Sequence, residues 1–126
     1  GDLMAESLRA RDPEATEPMI AREREKPFRA PTLLVLVATV DPANEKIPAI
    51  EQVLSAGASA QNVMLAAHAL GLGGMWRTGS VCYDKTFKDG LGLKESDEIV
   101  GILYLGRPEA NGPLRPVDWR PMLSRL

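Results

Sequence analysis

Residues 57–79, GASAQNVMLAAHALGLGGMWRTG, constrain this chain more than any other stretch. Small side chains at helical spacing run into Gly71, Gly73 and Gly74, and a short strand carrying Trp76, Arg77 and Thr78 follows. Gly71 sits where a glycine commonly ends a helix, because only glycine adopts a left-handed backbone at little cost. A helix is therefore expected over residues 47–70. Ile50, Val53 and Leu54 open its apolar face, and Val63, Met64 and Leu65 widen it. A helix that is apolar or small on most sides is expected to be buried. Burial inside its own domain and burial against a second subunit both meet that requirement, and the residues alone do not choose between them.

The clearest strand is residues 32–40, TLLVLVATV. It lacks polar alternation, which predicts a strand at the centre of a sheet with both faces covered. A second buried strand is expected over residues 99–105, IVGILYL, where Gly101 implies that something approaches the backbone closely. Residues 2–11 read as a short polar helix. Asp12-Pro13 reads as the start of the next one, whose ions alternate in sign as on a solvated face. Pro27 ends that helix, and Arg29-Ala30-Pro31 is an extended lead-in to the strand. Residues 41–44 read as a loop, 75–79 as a short strand, and 83–91 as a helix capped by Asp84. The tail after Gly106 has four prolines and no period. It is expected to pack on something, because Trp119, Met122 and Leu123 are too apolar to stay in water.

With 126 residues the chain is one domain or a large part of one, and its 44% apolar and 25% charged content is that of a soluble globular protein. A net charge of −2 argues against a nucleic-acid binder. No apolar run approaches the roughly 20 residues that span a bilayer, and the N-terminal stretch is too polar for a signal peptide. A single cysteine, Cys82, excludes an internal disulfide and has no metal-ligand spacing around it. These features fit a reducing cytoplasm.

The residue types that usually carry catalysis are sparse. Gly71-Leu72-Gly73-Gly74 invites a dinucleotide reading, but that fingerprint needs strand, glycines, then helix, and here the order is reversed. His68, the only histidine, has no carboxylate or nucleophile near it in sequence and reads as a surface or satisfied side chain. Cys82 has no cationic flank and reads as a structural thiol. Glu51 and Gln52 read as surface or interface residues. What remains is Met75-Trp76-Arg77-Thr78-Gly79. Neighbours on a strand point to opposite faces, so Trp76 and Arg77 cannot enter one pocket together, although the backbone between them can face a ligand. The plainer reading has Trp76 in the core and Arg77 paired with a surface acid.

Several segments, taken in order and spacing, carry a resemblance. They are Pro27-Phe28-Arg29-Ala30-Pro31 before a buried strand, Glu51-Gln52, Ser55-Ala56-Gly57, Gln61-Asn62, Ala66-Ala67, Gly71-x-Gly73-Gly74-x-Trp76-Arg77-Thr78-Gly79, and Asp97-Glu98-Ile99-Val100-Gly101-x-Leu103-Tyr104-Leu105-Gly106. Together they resemble the nitroreductase family, in particular its small YdjA-type bacterial NAD(P)H members, from about residue 20 to about residue 108. The resemblance implies an α+β fold: a mixed sheet sandwiched by helices, in a homodimer with FMN at the subunit interface. Residues 1–126 would form a single domain, with 107–126 as an extended C-terminal arm. Trp76, Arg77 and Thr78 would contact FMN. Ala66, Ala67, His68, Ala69, Leu70 and Gly71 would lie beside the NAD(P)H site, and no metal would be involved. The activity implied is transfer of hydride or electrons from NAD(P)H to a nitroaromatic, quinone or similar small acceptor.

The family's N-terminal Arg-Arg-Ser motif, which holds the FMN phosphate, has no counterpart here. The resemblance therefore implies that roughly the N-terminal third is absent and that the phosphate side of the site comes from outside this chain. A flavin-free dimeric structural or binding module stays open beside the oxidoreductase. Arg107, Arg115 and Arg120 are tail cations near the family's C-terminal site, and none can be assigned to a 2′-phosphate.

Overall fold

The computed structural model describes residues 1–110, 112 and 116–124. Helix α1 (Asp2–Arg11) and helix α2 (Glu17–Glu25) form an antiparallel pair, and a 3₁₀ turn (Lys26–Arg29) leads into strand β1 (Thr32–Ala38). Helix α3 (Ala49–Ala69) follows, then strand β2 (Gly73–Arg77), a 3₁₀ turn (Ser80–Tyr83), helix α4 (Lys85–Gly90) and strand β3 (Glu98–Gly106). The strand order is β1-β3-β2, and both pairings are antiparallel. The fold is α+β, as the resemblance implied. The parallel pairing of a mixed sheet is not made among these three strands.

β3 is the central strand, and its side chains divide the core. Ile102 and Tyr104 face Met4, Cys82 and Phe87 of α1, the second 3₁₀ turn and α4. Leu103 and Leu105 face Ala67, Val63 and Met64 of α3 on the other side. The expectation of a central strand at 32–40 is overturned. Among the described residues β1 stops at Ala38 and forms one edge, and Leu34 on its α3 side is 37% exposed. The apolar run therefore encoded neither a central position nor full burial of both faces within this chain: only Ala38 of β1 is buried.

Several boundaries move for local reasons. Asp12 closes α1 instead of opening α2, and its carboxylate accepts the Glu14 N–H at 3.1 Å. α2 starts after Thr16, with Pro18 in its first turn. α4 is capped by Asp84 as expected, through the Phe87 N–H at 2.9 Å. α3 ends in a Schellman motif. Gly71 has φ +74°, the Leu72 N–H donates to the Ala67 carbonyl at 2.9 Å, and the Gly71 N–H donates to the His68 carbonyl at 2.9 Å.

α3 lies on the sheet through Val53, Ala56, Gly57, Ala60, Val63, Met64 and Ala67, the i, i+3, i+4, i+7 spacing of one helix face. Only Ala60 and Ala67 are fully buried. Ile50, Leu54, Leu65 and Leu70 are 57–77% exposed. Within its own domain this helix is covered on one face only. The expected packing of the tail is likewise not found on this chain: Trp119, Met122 and Leu123 are exposed.

Gly101 answers to a side chain. A Cβ there would sit 2.0 Å from Trp76 Nε1 and 2.6 Å from Trp76 Cδ1, because the pyrrole edge of the Trp76 indole occupies this position. The β1–β3 register skips Val100, and the β2–β3 pairing ends at Ile102. The Val100 carbonyl is thereby left to accept the Trp76 Nε1–H at 3.3 Å. Gly101→Ala must displace the indole and break that bond. It is expected to destabilise the fold by about 1–3 kcal/mol, read as a lower urea midpoint with a shifted tryptophan emission; an unchanged midpoint would refute the contact.

Candidate active site

β2 and β3 pair with Met75 opposite Tyr104 and Arg77 opposite Ile102. Because side chains alternate, these four share the α1–α2 side of the sheet, and Trp76 opposite Leu103 is on the α3 side. A cavity of about 720 Å³ opens on the first side. That falls within the roughly 300–1,000 Å³ of small-molecule and cofactor sites. One wall is the edge strand β2 and its continuation: Gly73, Gly74, Met75, Arg77, Thr78, Gly79 and Ser80. The facing wall comes from α2 and the turn after it: Arg22, Glu23, Lys26, Arg29, Ala30 and Pro31. Tyr104 lines the floor, and Gly106, Arg107 and Pro108 close one end.

Of the expected flavin contacts, the structure brings Arg77 and Thr78 to this cavity. The Trp76 side chain is directed away and pins the strand from behind, as the alternation argument required. Arg77 is not paired with a surface acid; its Nε–H meets the Met75 sulfur at 3.1 Å. β2 has a neighbour on one side only, so its outer backbone groups are free of sheet pairing among the described residues.

The expected NAD(P)H segment is placed differently. Ala66, His68, Ala69, Leu70 and Gly71 are exposed at the C-terminal end of α3, and Ala67 is buried against Leu103 and Leu105. None of the six lines the cavity, which the chain reaches two residues later at Gly73. Gln52, read as a surface residue, fastens the 41–47 loop: its side chain accepts from the Asp41 N–H and donates to the Asp41 and Ile47 carbonyls. Arg120 is exposed beside Trp119, away from the cavity. Arg115 lies outside the described residues.

The cavity is rich in positive charge. Arg22, Lys26, Arg29, Arg77 and Arg107 line it against one carboxylate, Glu23, which Lys26 already holds in an ion pair. Reading residues 13–26 as a solvated charged helix missed this wall. The signal was present, because positions 22, 26 and 29 recur at i, i+4, i+7 and so share one face. Tyr104 was also missed. Burial pushes its phenol above the ordinary 10.0, with Arg29 and Arg77 pulling the other way. Cys82 is fully buried beneath the floor, and burial pushes its thiol above 9.0, as befits a structural thiol. No cluster of three metal-ligating side chains occurs among the described residues.

The cavity is cofactor-sized, cation-lined and set against the edge of a helix-covered sheet. The nitroreductase family profile matches residues 1–107. The chain belongs to the nitroreductase family. It is 41% identical over 90 residues to a candidate NAD(P)H nitroreductase of Escherichia coli K12, YdjA, covering 71% of this chain and 49% of that protein. A candidate NAD(P)H nitroreductase of Haemophilus influenzae is 30% identical over 100 residues, 78% of this chain and 54% of that protein. The chain thus spans about half the length of the curated relatives it matches. Two solved structures share the fold. A nitroreductase-like protein of Bacillus cereus superposes with a TM-score of 0.74 at 24% identity, covering 98% of this chain and 66% of that one. A Bacteroides fragilis nitroreductase with bound FMN superposes with a TM-score of 0.57 at 20% identity, covering 92% and 64%.

The raised phenol and thiol give a signed pH dependence. Both groups hold their protons more tightly folded than unfolded, so their contribution is full below the ordinary values of 9.0 and 10.0 and is lost as pH rises through the folded values. Stability is expected to fall from pH 8 to above pH 10, first through Cys82 and then through Tyr104. Denaturation midpoints measured across that range should show the fall, and Tyr104→Phe should flatten its upper part.

Proposed function

We propose that this chain is the flavin-binding part of an FMN-dependent oxidoreductase that passes hydride or electrons from NAD(P)H to a small acceptor such as a nitroaromatic or a quinone. The observation that carries the reading is the cavity bounded by Arg77, Thr78 and Gly79, at a sheet edge whose outer backbone groups have no strand partner among the described residues. Its volume and its donors suit a planar, hydrogen-bonding, phosphorylated cofactor. FMN, when bound, supplies the group that accepts and returns the hydride, which accounts for a site with no acid–base pair. The chain's own part is to bind and orient. Trp76, locked over Gly101, fixes the strand; Arg77 and Thr78 present it to the cavity. The curated relatives bear NAD(P)H nitroreductase names and a structural neighbour holds FMN, which supports the same reading. Residues 66–71 remain the proposed approach for the nicotinamide nucleotide, next to the cavity rim at Gly73. A reducing cytoplasm suits the single unpaired thiol.

We further propose a homodimer through α3. Ile50, Leu54, Ala58 and Leu65 recur at helical spacing along its exposed side. Such an apolar stripe is the usual mark of an interaction surface.

Two measurements test these readings. Titration of the chain into FMN is expected to quench flavin fluorescence to saturation, and protein from its native source is expected to be yellow. A colourless, FMN-indifferent native protein refutes the oxidoreductase and favours the flavin-free module. In sedimentation, the chain is expected to run as a dimer and the Leu54→Glu, Leu65→Glu variant as a monomer; a monomeric parent chain refutes the interface.

A further inference from the structure

We infer that the loop of residues 41–48, stapled by Gln52, is a preset part of the surface through which two copies of this chain associate, with Ile47 and Ile50 as its contact side chains. The inference rests on the homodimer proposed through α3, and adds to it a second element and a positioning residue.

The loop is exposed and yet fixed. It joins β1 to α3 without helix or strand, and of residues 41–48 only Asn44 is half-buried. Side chains hold its backbone instead. The Asp41 carboxylate accepts the Ala43 N–H at 3.0 Å, and the Asn44 side-chain oxygen accepts the Lys46 and Ile47 N–H groups at 3.1 Å. Gln52, in the first turn of α3, closes the loop at both ends. Its side chain accepts the Asp41 N–H at 2.9 Å and donates to the Asp41 carbonyl at 3.0 Å and to the Ile47 carbonyl at 2.8 Å. Pro42 and Pro48 restrict the backbone further. Ordering such a loop costs conformational entropy, and here that cost is met before any partner arrives.

The apolar side chains of the loop continue those of the helix. Ile47 is 45% exposed, Ile50 62% and Leu54 64%. Area asks for this extension. With 21 residues α3 is about 31 Å long and about 10 Å across. One face of it offers a few hundred Å², much of it from Ala, Ser and Gly, whereas a stable specific interface takes about 800 Å² from each partner. The α3 stripe alone falls short, and the loop adjoins it at the Ile50 end.

Charge selects the partner. Residues 47–70 hold one formally charged side chain, Glu51, and the single histidine, His68, in a chain that is 25% charged. The buried centre of an interface is depleted in charge, and a surface without a charge pattern meets a copy of itself without like-charge repulsion. Glu45 and Lys46, exposed and of opposite sign beside Ile47, supply a polar rim. A two-fold axis brings in the loop of each copy, so the gain from presetting it counts twice.

Sedimentation equilibrium of the full chain tests this. Gln52→Ala frees both ends of the loop and is expected to weaken the dimer by about tenfold or more. Ile47→Ser, Ile50→Ser keeps the staple, removes the contact, and is expected to weaken the dimer at least as much. Both isoleucines are exposed in a single copy, so this variant, diluted to monomer, is expected to melt with the equally dilute parent chain. Hydrogen exchange gives a second readout in the monomeric Leu54→Glu, Leu65→Glu background. There the Asp41 amide is expected to exchange more slowly with Gln52 present than with Gln52→Ala, because the loop is set before association. Equal exchange overturns the staple. Unchanged dimer affinity in the Ile47→Ser, Ile50→Ser variant overturns the loop's part and leaves the α3 dimer standing. A monomeric parent chain overturns both.

Discussion

The site depends on the antiparallel pairing of β2 with β3. That register sets Met75 beside Tyr104 and Arg77 beside Ile102, and it sends the Trp76 indole through to the opposite face. A slip of one residue would invert this. The indole would enter the cavity and the guanidinium would be driven into the apolar layer under α3. Gly101 and the skipped Val100 hold the register: the first leaves room for the indole, and the second offers it a carbonyl acceptor. The glycine and the tryptophan, 25 positions apart in sequence, form one device.

The second constraint is the division of labour between the two faces of the sheet. On the α3 side, small residues let a long helix lie close, and Met64 fills the space over Gly74, where a Cβ would meet its sulfur at 2.8 Å. There α3 packs directly on Leu103 and Leu105, while Trp76 and Leu34 at the margins stay 37% exposed. On the other side, α1 and α4 cover only part of β3, and α2 stands off far enough to leave a cavity. Charge follows the same division. The α2 cation that does not brace α1, Arg22, lines the cavity where the sheet is uncovered, together with Lys26 and Arg29 from the turn after it and Tyr104 from the floor.

Much of this was legible in the chain before any coordinates. The helix stop at Gly71, the cap at Asp84, the strand around Gly101 and the opposed directions of Trp76 and Arg77 are all local, and short-range geometry suffices for them. The inert Cys82 follows from its flanks. The order of strands was not legible, because an apolar run does not encode which strand lies beside it. Neither was the cationic wall, because alternating charge along α2 looks the same whether one face meets water or a cavity.

By itself the sequence determined the element types, the turn chemistry, the family and the two-sidedness of β2, since each depends on spacing within a few residues or on a pattern of motifs in order. Only the tertiary structure decided that β3 is central, that α3 keeps an apolar side uncovered, and that Arg22, Lys26 and Arg29 face Arg77 across one cavity. Those facts are contacts between segments distant in sequence. They are set by how the helices pack on the sheet, and no local period encodes them.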